Sequence, residues 1–282
     1  MKKGLVLEGG AMRGLFSAGV VDVLLENDIR FDGAMGVSAG ATFGVNFKSK
    51  QKGRVLRYTT TYANDERFSG LQSWLKTGDL YGAEFCYDTI PNELDPFHYE
   101  QYRKNPMAFY VVVTNVESGE AEYIEIPTLD EKEMLYLRAS ASMPIVSKIV
   151  KIDGNGYLDG GIADSIPIKA MEKLGYEKNV VILTRPLYYR KKKQAFLKGM
   201  HLLFEDYPNI VKALENRADA YNETLAYIQR KESKGELFVI RPEFSLKVGK
   251  VEHNSEALKE AYEEGKKNMQ ARLEELKAFL DK

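Results

Sequence analysis

Ser38 lies in the stretch Gly36-Val37-Ser38-Ala39-Gly40, after a short apolar segment and before the helix-like run Ala41–Phe47. A G-x-S-x-G nucleophile elbow requires this strand-turn-helix setting. The turn is sharp, so its flanking positions must be small, and Gly36, Ala39 and Gly40 meet that need. The spacing predicts Ser38 exposed at the start of a helix, where unpaired N–H groups favour negative charge beside an oxygen nucleophile. Taken alone, the pentapeptide reads as well as a tight turn with a serine cap.

A serine nucleophile needs a base for its proton and donors for the oxyanion. Asp159 ends an apolar strand and is followed by Gly160 and Gly161, which let the backbone turn away and a second segment approach. A carboxylate at a strand end beside a sheet crevice is placed for catalysis. It must be desolvated to serve, because an exposed aspartate with a pKa near ~4 is a weak base at neutral pH. Without its neighbours the same aspartate reads as a structural Asx turn.

The third stretch is Gly9-Gly10-Ala11-Met12-Arg13-Gly14, a glycine-rich turn before a helix. It presents backbone N–H groups at one point, and Arg13 adds a fixed positive charge. Such a loop holds an oxyanion or a phosphate equally well. A nucleotide site fits poorly, because no G-K-[ST] follows and Ala11 breaks the G-x-G-x-x-G spacing. A Ser-His-Asp triad also fits poorly. His201 and His253 fall late enough in the chain, but only one strand and one helix precede Ser38, and His253 sits just before a helix start at Asn254.

Composition bounds the rest. The chain has 282 residues, 44% hydrophobic and 29% charged, with a net charge of −1. That is ordinary for a globular protein and gives no electrostatic footprint for nucleic acid. The one cysteine, Cys86, and the three histidines, His98, His201 and His253, match no disulfide or metal pattern, and no cofactor is expected. The apolar run near Met1 is too short for a signal peptide, and no run elsewhere could span a bilayer, so cytoplasmic residence is expected and surface contact with a membrane stays open.

The elements that must position these residues follow from periodicity. Gly4–Leu7, Phe109–Asn115, Asn179–Thr184 and Glu236–Arg241 read as buried strands. Glu120–Ile126 reads as a hairpin partner, and Lys148–Asp153 with Gly156–Leu158 as a second hairpin. Helices are predicted after residue 15, over 131–142 and 169–174, over 207–234, and as one charged amphipathic helix over 255–282. Residues 54–107 read as helices and loops rich in aromatics, either a plain core layer or the wall of a pocket. Arg185–Lys193 carries five basic residues and two tyrosines, either a solvated loop or a contact for anionic head groups. Successive strand-helix units predict an α/β fold with a mostly parallel sheet and helices on both faces. One domain over 1–282 is expected, with a catalytic core at about 4–174 and the C-terminal strand and helices of 175–282 packed on it.

The three blocks in this order resemble the bacterial patatin-like phospholipase family, and Ile162–Pro167 resembles its continuation. The similarity covers roughly Gly4–Leu174. It implies a three-layer α/β sandwich hydrolysing fatty-acyl esters of phospholipid, lysophospholipid or another lipid through a Ser-Asp dyad. Ser38 matches the nucleophile and Asp159 the general base. Gly9, Gly10 and Ala11 match the oxyanion loop and Arg13 its arginine, with Gly14, Gly36, Gly40, Gly160 and Gly161 supporting the motifs. Ala11 stands at the family's usual third glycine, where its Cβ disfavours positive φ and an altered loop geometry is expected. Ser165 stands where an asparagine is common. The same apparatus suits an acyltransferase, and a non-catalytic lipid- or anion-binding protein is the other class of reading.

Overall fold

The computed structural model describes residues 1–193 and 197–281. The first half runs β1 (Lys2–Leu7), α1 (Gly14–Glu26), β2 (Gly33–Val37), α2 (Ala39–Lys48), α3 (Arg54–Thr61), α4 (Leu71–Thr77), a π-helical segment over Phe85–Leu94, α5 (Tyr99–Lys104), β3 (Ala108–Asn115) and β4 (Ala121–Glu125). It continues with α6 (Glu131–Ser140), β5 (Val150–Ile152), β6 (Asn155–Asp159), α7 (Ile168–Lys173), β7 (Tyr176–Ile182), α8 (Leu197–Leu203), α9 (Pro208–Ser233), β8 (Leu237–Ile240), α10 (Ser255–Ala271) and α11 (Leu273–Asp281).

Among the described residues the strands form one sheet in the order β5-β6-β3-β2-β1-β7-β8, with β4 also paired to β3. Strands β3, β2, β1, β7 and β8 are mutually parallel, whereas β4 and β6 run antiparallel to β3. Side chains alternate between faces along each strand. Leu5, Leu7, Val111, Val113, Val180 and Ile182 pack with α1, α2 and α11 in one core. Val6, Met35, Val37, Val112 and Val181 pack with α7 and α9 in another. Burial on both faces is why these strands read as unbroken apolar runs.

One feature of the sheet builds the site. Residues 108–112 of β3 pair with β2, and residues 113–115 pair with β6. Because β4 spans Tyr110–Thr114 on the other edge, β2 and β6 share a single edge of β3. They run in opposite directions along it, so their C-terminal ends meet.

One expectation changes, one helix is added, and one alternative is decided. The region 255–282 is two helices, not one, and Lys282 lies outside the described residues. The break at Arg272 lets its guanidinium donate to the Val239 carbonyl at 2.7 Å and stack on Phe238 while α11 turns Leu276 and Leu280 into the core. A further helix, α8, precedes α9 and buries Met200, with Phe204 just after it. Residues 54–107 wall a cavity, as described below, and are not merely a helical core layer.

Candidate active site

β2 delivers Val37 opposite Val112, and β6 delivers Asp159 opposite Val113. Ser38 follows Val37 with φ 54° and ψ −125°, a conformation forced on a non-glycine residue by the turn into α2. Such strain costs about 1–3 kcal/mol. Burying one or two strand residues such as Leu7 and Val37, at about 1.5–3 kcal/mol each, offsets it. The turn closes only because its neighbours are small: a Cβ on Gly40 would stand 2.4 Å from the Leu7 carbonyl oxygen. The amide of Ser38 donates to Ser140 Oγ at 2.9 Å, and Ser140 Oγ donates to the Val112 carbonyl at 2.6 Å. The last residue of α6 thus ties the turn to β3.

Ser38 is 8% exposed, so it is not the open helix-start serine that its motif predicts. α6 covers it, and its hydroxyl donates to Asp159 Oδ2 at 2.8 Å. Asp159 is 5% exposed. Its Oδ1 accepts from the Gly161 amide at 2.7 Å, and Thr114 Oγ1 donates to its carbonyl at 2.9 Å. A Cβ on Gly160 would meet the Val112 carbonyl oxygen at 2.1 Å, so the chain can pass β3 there only as glycine. Burial pushes the Asp159 carboxyl above the usual carboxylate range, against Arg217, the Ser38 hydroxyl, the Gly161 amide and Lys191, which pull it down. Ser165 Oγ donates to the Gly161 carbonyl at 2.8 Å, and Arg217 Nε donates to the same oxygen. Ser165 therefore still fixes the loop where an asparagine is common.

Gly9, Gly10 and Ala11 pass beside Ser38 before Arg13 and Gly14 open the first helix. Ala11 takes φ 50° despite its Cβ, so the loop keeps the backbone turn of a glycine. Among the described residues the N–H groups of Gly9, Gly10 and Ala11 donate to no protein acceptor. The loop is pinned from below by Glu8, which is buried and accepts from the Thr184 amide at 2.5 Å and from Tyr221 at 2.6 Å.

Two cavities meet at Ser38, Ala11 and Met143. One, of about 100 Å³, runs among apolar side chains of α2 and the 54–107 region, including Phe43, Tyr58, Phe68 and Ile90. The other, of about 560 Å³, is the more polar of the two and sets Asp159 together with Arg13, Arg185, Lys191, Arg217 and Lys250 among apolar side chains such as Ile145 and Met200. Of the nine-residue basic run, Arg185 and Lys191 face this cavity, whereas Lys193 pairs with Asp219 outside it. The histidines stand elsewhere: His201 beside Glu215, His253 against the Ala63 carbonyl, and none lines either cavity.

Sequence reasoning did not find Ser140, Arg217, Tyr221 or Lys250. A serine closing a helix four residues before Pro144 is a faint signal for the first. Arg217 and Tyr221 lie on α9 and Lys250 in the segment before α10, where no motif marks them.

A family model described as patatin-like phospholipase matches residues 5–171, and one described as a domain of unknown function (DUF6363) matches residues 207–281. The chain is 27% identical over 273 residues to the uncharacterized protein YjjU of Escherichia coli (strain K12), covering 93% of this chain and 74% of that protein. It is 24% identical to the probable lipid hydrolase 463L of Invertebrate iridescent virus 6, over 73% of this chain and 71% of that one. It is also 28% identical over 181 residues to lysophospholipase NTE1 of Coccidioides immitis (strain RS), over 61% of this chain and 11% of that one. On the match over residues 5–171, the chain belongs to the patatin-like phospholipase family of lipid acyl hydrolases.

Proposed function

We propose that this protein cleaves fatty-acyl esters of lipids with Ser38 as nucleophile and Asp159 as general base. The observation that carries the reading is the 2.8 Å hydrogen bond from Ser38 to Asp159, buried where an apolar cavity and a polar cavity join. The acyl chain occupies the apolar cavity, and the rest of the lipid lies in the polar one.

Ser38 Oγ attacks the ester carbonyl while Asp159 Oδ2 takes its proton. The free N–H groups of Gly9, Gly10 and Ala11 receive the negative charge that develops on the carbonyl oxygen, a contribution of about a hundredfold or more in rate per donor. Collapse expels the alcohol, which leaves with the proton held by Asp159. Water then gives its proton to Asp159, attacks the acyl-serine, and releases the fatty acid as Ser38 recovers its hydrogen. A carboxyl raised by burial is the stronger base, and the Gly161 amide on Oδ1 leaves Oδ2 to face Ser38.

The whole chain acts as one catalytic unit in this reading, because β8 extends the same sheet and Tyr262 of α10 bonds to Asp22 of α1. Among the described residues no helix is long and apolar enough to cross a membrane. Access to lipid is through peripheral contact. Ile145, which lines the polar cavity, is 49% exposed, and Leu187 and Tyr188 stand exposed between Arg185 and Lys191.

Pre-steady-state hydrolysis of a chromogenic medium-chain ester tests the reading. An acyl-enzyme predicts a burst of alcohol stoichiometric with protein, followed by slower release of acid. Turnover that persists in Ser38→Ala contradicts it.

A further inference from the structure

The more polar cavity is lined by five basic side chains, Arg13, Arg185, Lys191, Arg217 and Lys250, against two carboxylates, Glu8 and Asp159. Among the described residues none of the five lies within ion-pair distance of a carboxylate. Both oxygens of Glu8 are already engaged, one by Thr184 and the other by Tyr221. Among the described residues, buried Arg13 Nε has no hydrogen-bond partner. Collecting like charges in a partly desolvated cavity is unfavourable unless an anion joins them. Burial, Arg217 and Arg13 push Lys191 down to about 7, with Glu8 and Asp159 opposing, so an anion seated among these groups favours its charged form.

We propose that this cavity seats the phosphate of an anionic lipid head group, so that the enzyme prefers lipids with a net negative head over zwitterionic and neutral ones. The inference rests on the acyl-hydrolase reading above and names its substrate class. Four of the five cations lie outside residues 5–171, and two of them, Arg217 and Lys250, lie within residues 207–281. The portion of the chain beyond the catalytic match therefore acts as the head-group discriminator.

A quaternary ammonium is poorly served here. Such a group needs aromatic faces or a free carboxylate. Each of the two cavity tyrosines already carries a cation on one face: Arg185 stacks 4.5 Å from the ring centre of Tyr189, and Lys191 Nζ lies 4.1 Å from that of Tyr221. A phosphate instead finds guanidinium forks on several sides.

The full-length Ser38→Ala protein separates head-group binding from ester cleavage, so failure of this inference is distinguishable from failure of the hydrolase reading. Calorimetric titration with decanoyl lysophosphatidate, monodecanoylglycerol, decanoyl lysophosphatidylcholine and inorganic phosphate gives the answer. The expected result is that lysophosphatidate binds at least about tenfold more tightly than each of the others. Adding Arg185→Gln and Lys250→Gln should reduce that preference to less than about threefold, while Lys192→Gln with Lys193→Gln leaves it intact. Raising salt from about 50 to about 300 mM should weaken lysophosphatidate binding and leave monodecanoylglycerol binding unmoved, a readout that needs no cavity variant. Equal binding of the neutral or choline lipid overturns the proposal. So does inorganic phosphate binding as tightly as the lipid, which would mark a site for free phosphate, or a preference that survives the double substitution.

Discussion

Val37 and Asp159 end two strands that run toward each other along one edge of β3, and they pair with its adjacent residues Val112 and Val113. The residue after Val37 is Ser38. The hydroxyl and the carboxylate are thus brought to 2.8 Å by the register of the sheet, with no contribution from a mobile loop. In the proposed mechanism such a pair, built on strand ends, is preorganised, which keeps reacting groups from losing rate to misalignment.

Activity should show an acid limb set by Asp159. Its carboxyl is raised by burial and lowered by Arg217. The base form is needed, so kcat/KM rises with pH through a value above the ordinary ~3.9 of aspartate. Arg217→Met removes a lowering influence and should move the limb to higher pH. A pH-rate profile on a neutral ester checks this. A limb that stays put or moves down contradicts the assignment.

The same burial makes Asp159→Asn a stabilising change at neutral pH. A carboxyl whose pKa is raised on folding contributes stability below its unfolded pKa and loses it as pH rises through the folded value. Asparagine has no such loss. The variant should melt above wild type near pH 8, and the difference should shrink toward pH 4, as differential scanning calorimetry would show. A variant less stable at both values would mean that the Ser38 hydrogen bond outweighs the cost of the buried charge.

Ser140→Ala strips a donor from the Val112 carbonyl and an acceptor from the Ser38 amide, both buried. Leaving them unpaired should cost about 1–3 kcal/mol of stability. The turn that aims Ser38 then loosens, and kcat should fall by about tenfold or more while KM changes little. Urea unfolding with steady-state kinetics on one ester reads both effects.

Ala11→Gly tests the oxyanion loop. Alanine at φ 50° costs about 1–2 kcal/mol, and glycine gives back about 0.4–1 kcal/mol through the unfolded chain. The net expectation is a gain of up to about 1 kcal/mol with activity retained within a few-fold. A fall in the urea midpoint would show that the Ala11 side chain stabilises the loop by more than its backbone strain costs.

What could be read from the sequence was local. Ser38, Asp159 and the Gly9–Gly14 loop each sit in a short motif whose small residues announce a sharp turn, and apolar runs announce the strands. Ser140 was invisible because its bond to Ser38 crosses 102 residues and a hydroxyl at a helix end leaves no periodic trace. Arg217 reaches Gly161 across 56 residues from the buried face of α9, beside Leu214 and Tyr221, and one basic residue at the margin of an apolar stripe carries no signal of a distant partner. The break at Arg272 was missed for a related reason: amphipathic periodicity continues through it, and only the contact with β8 bends the chain. The basic run was visible as composition, but which of its cations turn inward is decided by packing against Tyr189 and Tyr221.

The central claim is that Ser38 is the nucleophile, and covalent labelling tests it most directly. The protein should be treated with an alkyl fluorophosphonate, digested, and mapped by mass spectrometry. The account predicts one adduct per chain on Ser38, parallel loss of fatty-acid release, and no adduct in Ser38→Ala. An adduct on another residue that abolishes activity, or full activity after Ser38 is labelled, would contradict it.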